Sequence, residues 1–153
     1  MKRTNKRLFL CCTFLVLNVA LIWGNSLLPG DVSGAISGWV RDFIVKLLGL
    51  PDLGQDVGHG LLRKLAHFAE FACLGGLLAW LFAMLQRHKL LSLGCGFLVA
   101  CADETIQRFV PGRGPSVRDV LIDTSGVITG IVLLFFGYTA IKAVKRKTED
   151  TKT

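Results

Sequence analysis

Four long apolar runs divide the chain, and charged residues gather where the runs stop. The first, Leu8 to Leu28, follows the basic start MKRTNKR; the others are Leu61 to Leu85, Leu90 to about Gln107 and Asp119 to about Val144. A helix rises about 1.5 Å per residue, so roughly 20 residues cross a bilayer. Each run is close to that length or beyond it. The pattern predicts an all-α integral membrane protein, one domain over residues 1–153, built as a bundle of four transmembrane helices. Between the first two runs, Ile36, Trp39, Val40, Phe43, Ile44, Leu47 and Leu48 recur at steps of three and four, with Arg41, Asp42 and Lys46 on the other side. That spacing predicts an amphipathic helix over about 34–49, lying on the extracytoplasmic surface and stopped near Gly49 and Pro51. Periodicity alone leaves open whether its apolar face meets lipid or covers the mouth of the bundle.

Composition agrees with the membrane reading, since 52% of residues are hydrophobic and only 19% charged, too apolar for an ordinary soluble domain. A net charge of +7 raises nucleic acid as a partner. The basic residues, however, cluster at the ends of apolar runs and form no stripe interleaved with aromatics, which argues against it. Lys2, Arg3, Lys6 and Arg7 precede the first run, Arg87 and Lys89 separate the second from the third, and Lys142, Lys145, Arg146 and Lys147 follow the fourth. The positive-inside tendency then puts both termini of a multi-pass protein on the cytosolic side of a bacterial cytoplasmic membrane. The first run is long for a cleaved signal peptide, and an uncleaved span is expected. Leu10 stands where a lipoprotein box needs a small residue. Cys11, Cys12, Cys73, Cys95 and Cys101 all fall inside apolar runs without metal-ligand spacing and read as small apolar fillers.

Against this background the polar residues within the spans stand out. Measured along the helix from Leu85, Glu70 lies about 22 Å and His67 about 27 Å up, while Asp103 lies about 20 Å above Leu90 and Asp123 about 27 Å above Ile141. All reach the outer part of a core about 30 Å thick. Lys64, His67 and Glu70 share one side of a helix, as do Asp103 and Gln107, and as do Ser116, Asp119 and Asp123. Glu104 points about 100° away from Asp103, so it either reaches a neighbouring span or serves structure. An ionised Asp near the centre of a spanning helix costs roughly 2.5 to 3.5 kcal/mol even on lenient scales. Partners are therefore required, with Lys64, Arg108, Arg113 and Arg118 nearest in sequence. Internal ion pairs that only fasten the helices together are the competing explanation.

In the turn RFVPGRGPSVRD, Pro111, Gly112, Gly114 and Pro115 break helix continuity. Backbone N–H groups at the start of the last helix and the Arg113 guanidinium both suit a phosphate or carboxylate. Ser116 fits an N-cap, with Asp119 at the capping-box position.

RKLAHFAEFACLG, DETIQRFVPGRGPSVRDVLIDTSGVITG and the earlier WGNSLLPG together resemble the VanZ-like family of small bacterial membrane proteins, from about Trp23 to Gly130. That family is associated with resistance to glycopeptide antibiotics such as teicoplanin, whose target is a peptidoglycan precursor outside the membrane. The resemblance carries the family's polar pattern onto Lys64, His67, Glu70, Asp103, Glu104, Gln107, Arg113, Ser116, Asp119 and Asp123. Gly126 and Gly130 match its glycine-containing fourth span, where small residues four apart permit close helix contact.

Three functions compete on these residues. The first is an outward-facing site for an anionic lipid or a lipid-linked cell-envelope precursor, with Lys64, Gln107, Arg113, Ser116, Asp119 and Asp123 as binding residues and membrane lipids as partners. The second is a hydrolase or transferase acting on a phosphorylated lipid head group, with His67 and Glu70 as an acid/base pair, Asp103 and Glu104 as further catalytic candidates, and a divalent metal as the candidate cofactor. No HExxH or GxSxG motif supports it. The third is ion- or proton-coupled transport, for which the cytosolic halves of the spans carry few polar side chains. The sequence leaves the oligomeric state open.

Overall fold

A computed structural model describes residues 2–49 and 55–150, which form five helices with no strand among them: α1 (Lys2–Ser26), α2 (Gly30–Leu48), α3 (Gln55–Met84), α4 (Leu90–Gln107) and α5 (Val117–Asp150). Four segments are long and apolar enough to cross a membrane, Thr4–Ser26, Gly60–Met84, Leu90–Gln107 and Val117–Val144, in agreement with the four runs read from the sequence. The chain is thus a multi-pass membrane protein by length and composition.

The helix ends follow local chemistry. Gly112 takes a positive φ of 72° in the turn between α4 and α5, a backbone conformation that costs glycine little. Gly49 ends α2 in the left-handed conformation, φ 62°, and its N–H returns to the Val45 carbonyl. Pro51, the other expected stop signal, lies outside the described residues. The start of α2 differs from expectation: the helix begins at Gly30, not near residue 34. GDVSGA carries no apolar periodicity, but Gly30 N–H donates to the Pro111 carbonyl at 3.0 Å and Ser33 N–H to the Pro29 carbonyl at 2.9 Å, which fixes the first turn. A Cβ on Gly30 would collide with the Gly112 carbonyl, so only glycine allows α2 to rest on that turn. In the same way α3 starts before Leu61 and α5 continues beyond Val144.

Ile22, Phe71, Leu74, Leu78, Ala100 and Val127 form the buried apolar core, contributed by all four spans. The tightest pair is α3 and α5. Side chains on Gly75 or Gly130 would strike the carbonyls of Val127 and Ala72 respectively, and one on Gly126 would come within 2.5 Å of the Phe68 carbonyl. The four-residue glycine step of α5 therefore does what its spacing predicts, and its partner is α3.

Ile36, Trp39, Phe43 and Leu47 of the apolar row of α2 are exposed, while Val40 and Ile44 are half-buried. Trp39 is 72% exposed and Phe43 56%, stacked on one another, whereas Ser33 and Arg41 are buried. A helix whose apolar side covered the bundle would show the reverse.

Candidate functional site

The polar residues of the spans meet at one end of the bundle, where the C-terminal ends of α1 and α4 adjoin the N-terminal parts of α3 and α5. Asp103 of α4 is completely buried. Its Oδ2 accepts hydrogen bonds from Ser26 Oγ of α1 at 2.8 Å and Gln107 Nε2 at 2.9 Å, one helical turn away. Gln107 Nε2 also lies 3.2 Å from Ser26 Oγ, which closes a three-residue network. His67 Nδ1 of α3 stands 3.9 Å from the same Asp103 oxygen, too far for a hydrogen bond. Asp123 of α5 is 2% exposed, and one ligating atom from each of His67, Asp103 and Asp123 lies within 4.8 Å of the others. Three spanning helices therefore bring their ionisable groups to one point.

Above this point a cleft opens between α3, α4 and α5. Arg63, Lys64 and Asp119 line it together with His67, Glu104, Gln107, Ile122 and Asp123. Lys64 Nζ is 4.0 Å from Asp119 Oδ1, and both side chains keep some solvent exposure, so they mark the rim. A loose, partly exposed pair of this kind contributes little stability and separates easily.

Glu104 resolves the choice its helical angle left open. It is buried, and its Oε2 accepts the Ser116 backbone N–H at 2.7 Å, capping the start of α5 from the end of α4. Ser116 does sit immediately before α5, and Asp119 stands in its first turn. The Asp119 carboxylate, however, is turned toward Lys64.

Arg113 is used locally. Its Nε and Nη2 donate to the carbonyls of Leu28 at 3.2 Å and Asn25 at 2.9 Å, which ties the turn to the end of α1. Its Nη1 is buried with no hydrogen-bond partner among the described residues. Burial, with the positive charge of Arg63 adding to it, lowers the guanidinium pKa from its usual value; arginine remains charged at neutral pH regardless. Glu70 is likewise bound to α1: Asn25 Nδ2 donates to its Oε1 and Asn18 Nδ2 to its backbone carbonyl. His67, expected as an acid/base partner of Glu70, has its Nδ1 3.9 Å from Asp103 Oδ2. Arg108 and Arg118, suggested as charge partners, are exposed.

Sequence reasoning missed Asn18, Asn25, Ser26 and Arg63. A signal existed for three of them. Asn18 and Asn25 are seven residues apart, two helical turns on one face of α1, and Asn25-Ser26 is an adjacent polar pair inside an apolar run.

All five cysteines are free. A family model described as VanZ/LLP1 matches residues 8–138, a range that includes every residue of the cleft and of the network beneath it. No curated protein and no solved structure matches the chain.

Proposed function

The chain belongs to the VanZ/LLP1 family, and from that premise we propose that its cleft binds the anionic head group of a membrane lipid or a lipid-linked cell-envelope precursor in the outer leaflet of the bacterial cytoplasmic membrane. The observation that carries this reading is the placement of Arg63 and Lys64 together at a polar cleft within an otherwise apolar bundle. A phosphate reaching the rim would exchange the 4.0 Å Lys64–Asp119 contact for charge-assisted hydrogen bonds from Lys64 and the Arg63 fork. The hydrocarbon tail would remain among the apolar side chains on the outside of the spans. Arg113 supports the site by holding the turn against α1. Beneath the polar network the core of Ile22, Phe71, Leu74, Leu78, Ala100 and Val127 is closed and apolar, which favours a one-sided binding site over a transport path. Changed susceptibility to glycopeptide or lipoglycopeptide antibiotics would follow where the bound lipid is a peptidoglycan precursor.

The test is lipid binding by the reconstituted protein, with phosphatidylglycerol and an isoprenyl phosphate as anionic probes and phosphatidylcholine as the neutral control. Arg63→Ala combined with Lys64→Ala is expected to weaken binding of the anionic probes by about tenfold or more, the equivalent of about 1.4 kcal/mol, and to leave the control unchanged. Equal affinity of wild type and double variant for the anionic probes would remove the proposal.

A further inference from the structure

We propose that His67, Asp103 and Asp123 form a binding site for one first-row divalent cation, Mn²⁺ or Zn²⁺, at the base of the cleft. The site stands on its own geometry and does not depend on head-group binding. One ligating atom from each residue lies within 4.8 Å of the other two, and the three come from three different helices. The His67–Asp103 separation of 3.9 Å is too long for a direct hydrogen bond. It suits two groups that share an ion: ligand bonds of roughly 2.0 to 2.2 Å place neighbouring ligands about 3 to 4 Å apart.

A second observation points to a missing ligand. Asp103 is completely buried, and while its Oδ2 accepts two hydrogen bonds, its Oδ1 has no partner among the described residues; His67 Nδ1 is buried and unpartnered too. Buried polar atoms are almost always satisfied, and leaving them unsatisfied is costly. A cation held between His67 Nδ1 and the Asp103 and Asp123 carboxylates would give these groups a partner and offset the carboxylate charge.

The surroundings complete the arrangement. Ser26 and Gln107 hold the Asp103 carboxylate by hydrogen bonds to Oδ2, the kind of outer support that orients metal ligands. His67 and Asp123 line the cleft, which gives the ion an entrance past Lys64 and Asp119. One imidazole with two carboxylates favours Mn²⁺ or Zn²⁺ over Ca²⁺ and Mg²⁺, which prefer all-oxygen sets. Three protein ligands leave room for a further ligand from the cleft, the position a phosphate oxygen would take.

The full chain, purified in mild detergent and stripped with chelator, is titrated with MnCl₂ while the free Mn²⁺ signal is followed by electron paramagnetic resonance. The expected result is uptake of one ion per chain, displaced by Zn²⁺ and not by equimolar Ca²⁺ or Mg²⁺. His67→Ala and Asp123→Asn should each weaken uptake by at least about tenfold, while His88→Ala, at the opposite turn of the bundle, leaves it unchanged. Pulsed measurement of the wild type should show one histidine nitrogen coupled to bound Mn²⁺, a readout that needs no variant to fold. Absence of uptake, uptake without nitrogen coupling, or uptake indifferent to both ligand substitutions would overturn the site. No envelope lipid is added, so failure here leaves the lipid-binding test at Arg63 and Lys64 intact.

Discussion

Asp103 concentrates the cost of placing charge in the bundle, and its neighbours show how that cost is met. An ionised Asp at the centre of a spanning helix carries a penalty of roughly 2.5 to 3.5 kcal/mol, an upper bound for Asp103 near the end of α4, and hydrogen bonds from Ser26 and Gln107 offset part of the cost. Interhelical hydrogen bonds in membrane proteins contribute about 0.6 kcal/mol on average and about 1.7 at most. Ser26→Ala, which removes the link from α1, is therefore expected to destabilise the purified protein by about 1 kcal/mol, read as a lower thermal midpoint in detergent. Thr139→Ala is the control, because its exposed hydroxyl bonds only to carbonyls of its own helix, and its midpoint should not move. Equal midpoints for both variants would show that the Ser26 bond contributes nothing. The sequence revealed Asp103 more readily than its partners. Steps of three and four aligned His67, Asp103 with Gln107, and Asp119 with Asp123, because that periodicity is a property of each helix taken alone. The attachment of Glu70 to Asn25 and of Arg113 to backbone carbonyls depends on how α1 sits against its neighbours, and spacing within one segment cannot express it. The carbonyls that Arg113 engages at the end of α1 leave no mark in the sequence.

Among the elements, α3 and α5 set the frame on which the site is built, since His67 and Asp123 can converge only if these helices approach closely. Gly130→Leu would drive a side chain into the Ala72 carbonyl, and overpacking of this kind costs about 1 to 3 kcal/mol or more. The expected outcome is a lower thermal midpoint and weaker accumulation in membranes. Gly137→Leu, on the same helix with no heavy atom within 4 Å of the added Cβ, should accumulate like the wild type; a similar loss in both variants would contradict the close α3–α5 contact. The spans were legible because apolar run length is dictated by the bilayer, and α4 coincides with its sequence reading at Leu90–Gln107. The first turn of α2 was not, because its stability comes from the Gly30–Pro111 hydrogen bond between segments distant in the chain. For α2 the periodicity identified the helix but not which side chains the bundle would cover, and Trp39 and Phe43 are among those left exposed.

At the level of the whole molecule the bundle is polar at one end of its interior, and the membrane face to which that end belongs decides what the cleft can meet. Basic residues occur at both ends, so the positive-inside tendency needs weighing. At the cleft end Arg41 pairs with Asp42, Lys64 lies near Asp119 and Arg113 is bound to carbonyls, while Arg108 and Arg118 are exposed. At the other end Arg87, Lys89, Lys142 and Arg146 are all exposed, next to the exposed Lys6 and Arg7 of the first helix, the arrangement expected of a cytosolic face. The proposed outward-facing cleft rests on this asymmetry. A chain with its five free cysteines replaced by alanine allows this to be measured with single reporters. Gly114→Cys adds a side chain where no heavy atom lies within 4 Å, in the turn beside the cleft, and Arg87→Cys marks the exposed turn at the opposite end. In intact cells, permeabilised at any outer barrier only, a membrane-impermeant maleimide should label Gly114→Cys at once and Arg87→Cys only after the inner membrane is opened. The reverse pattern would expose the cleft to the cytosol, where an extracytoplasmic head group could not reach Arg63 and Lys64, while leaving the packing of the helices and the convergence of His67, Asp103 and Asp123 unaltered.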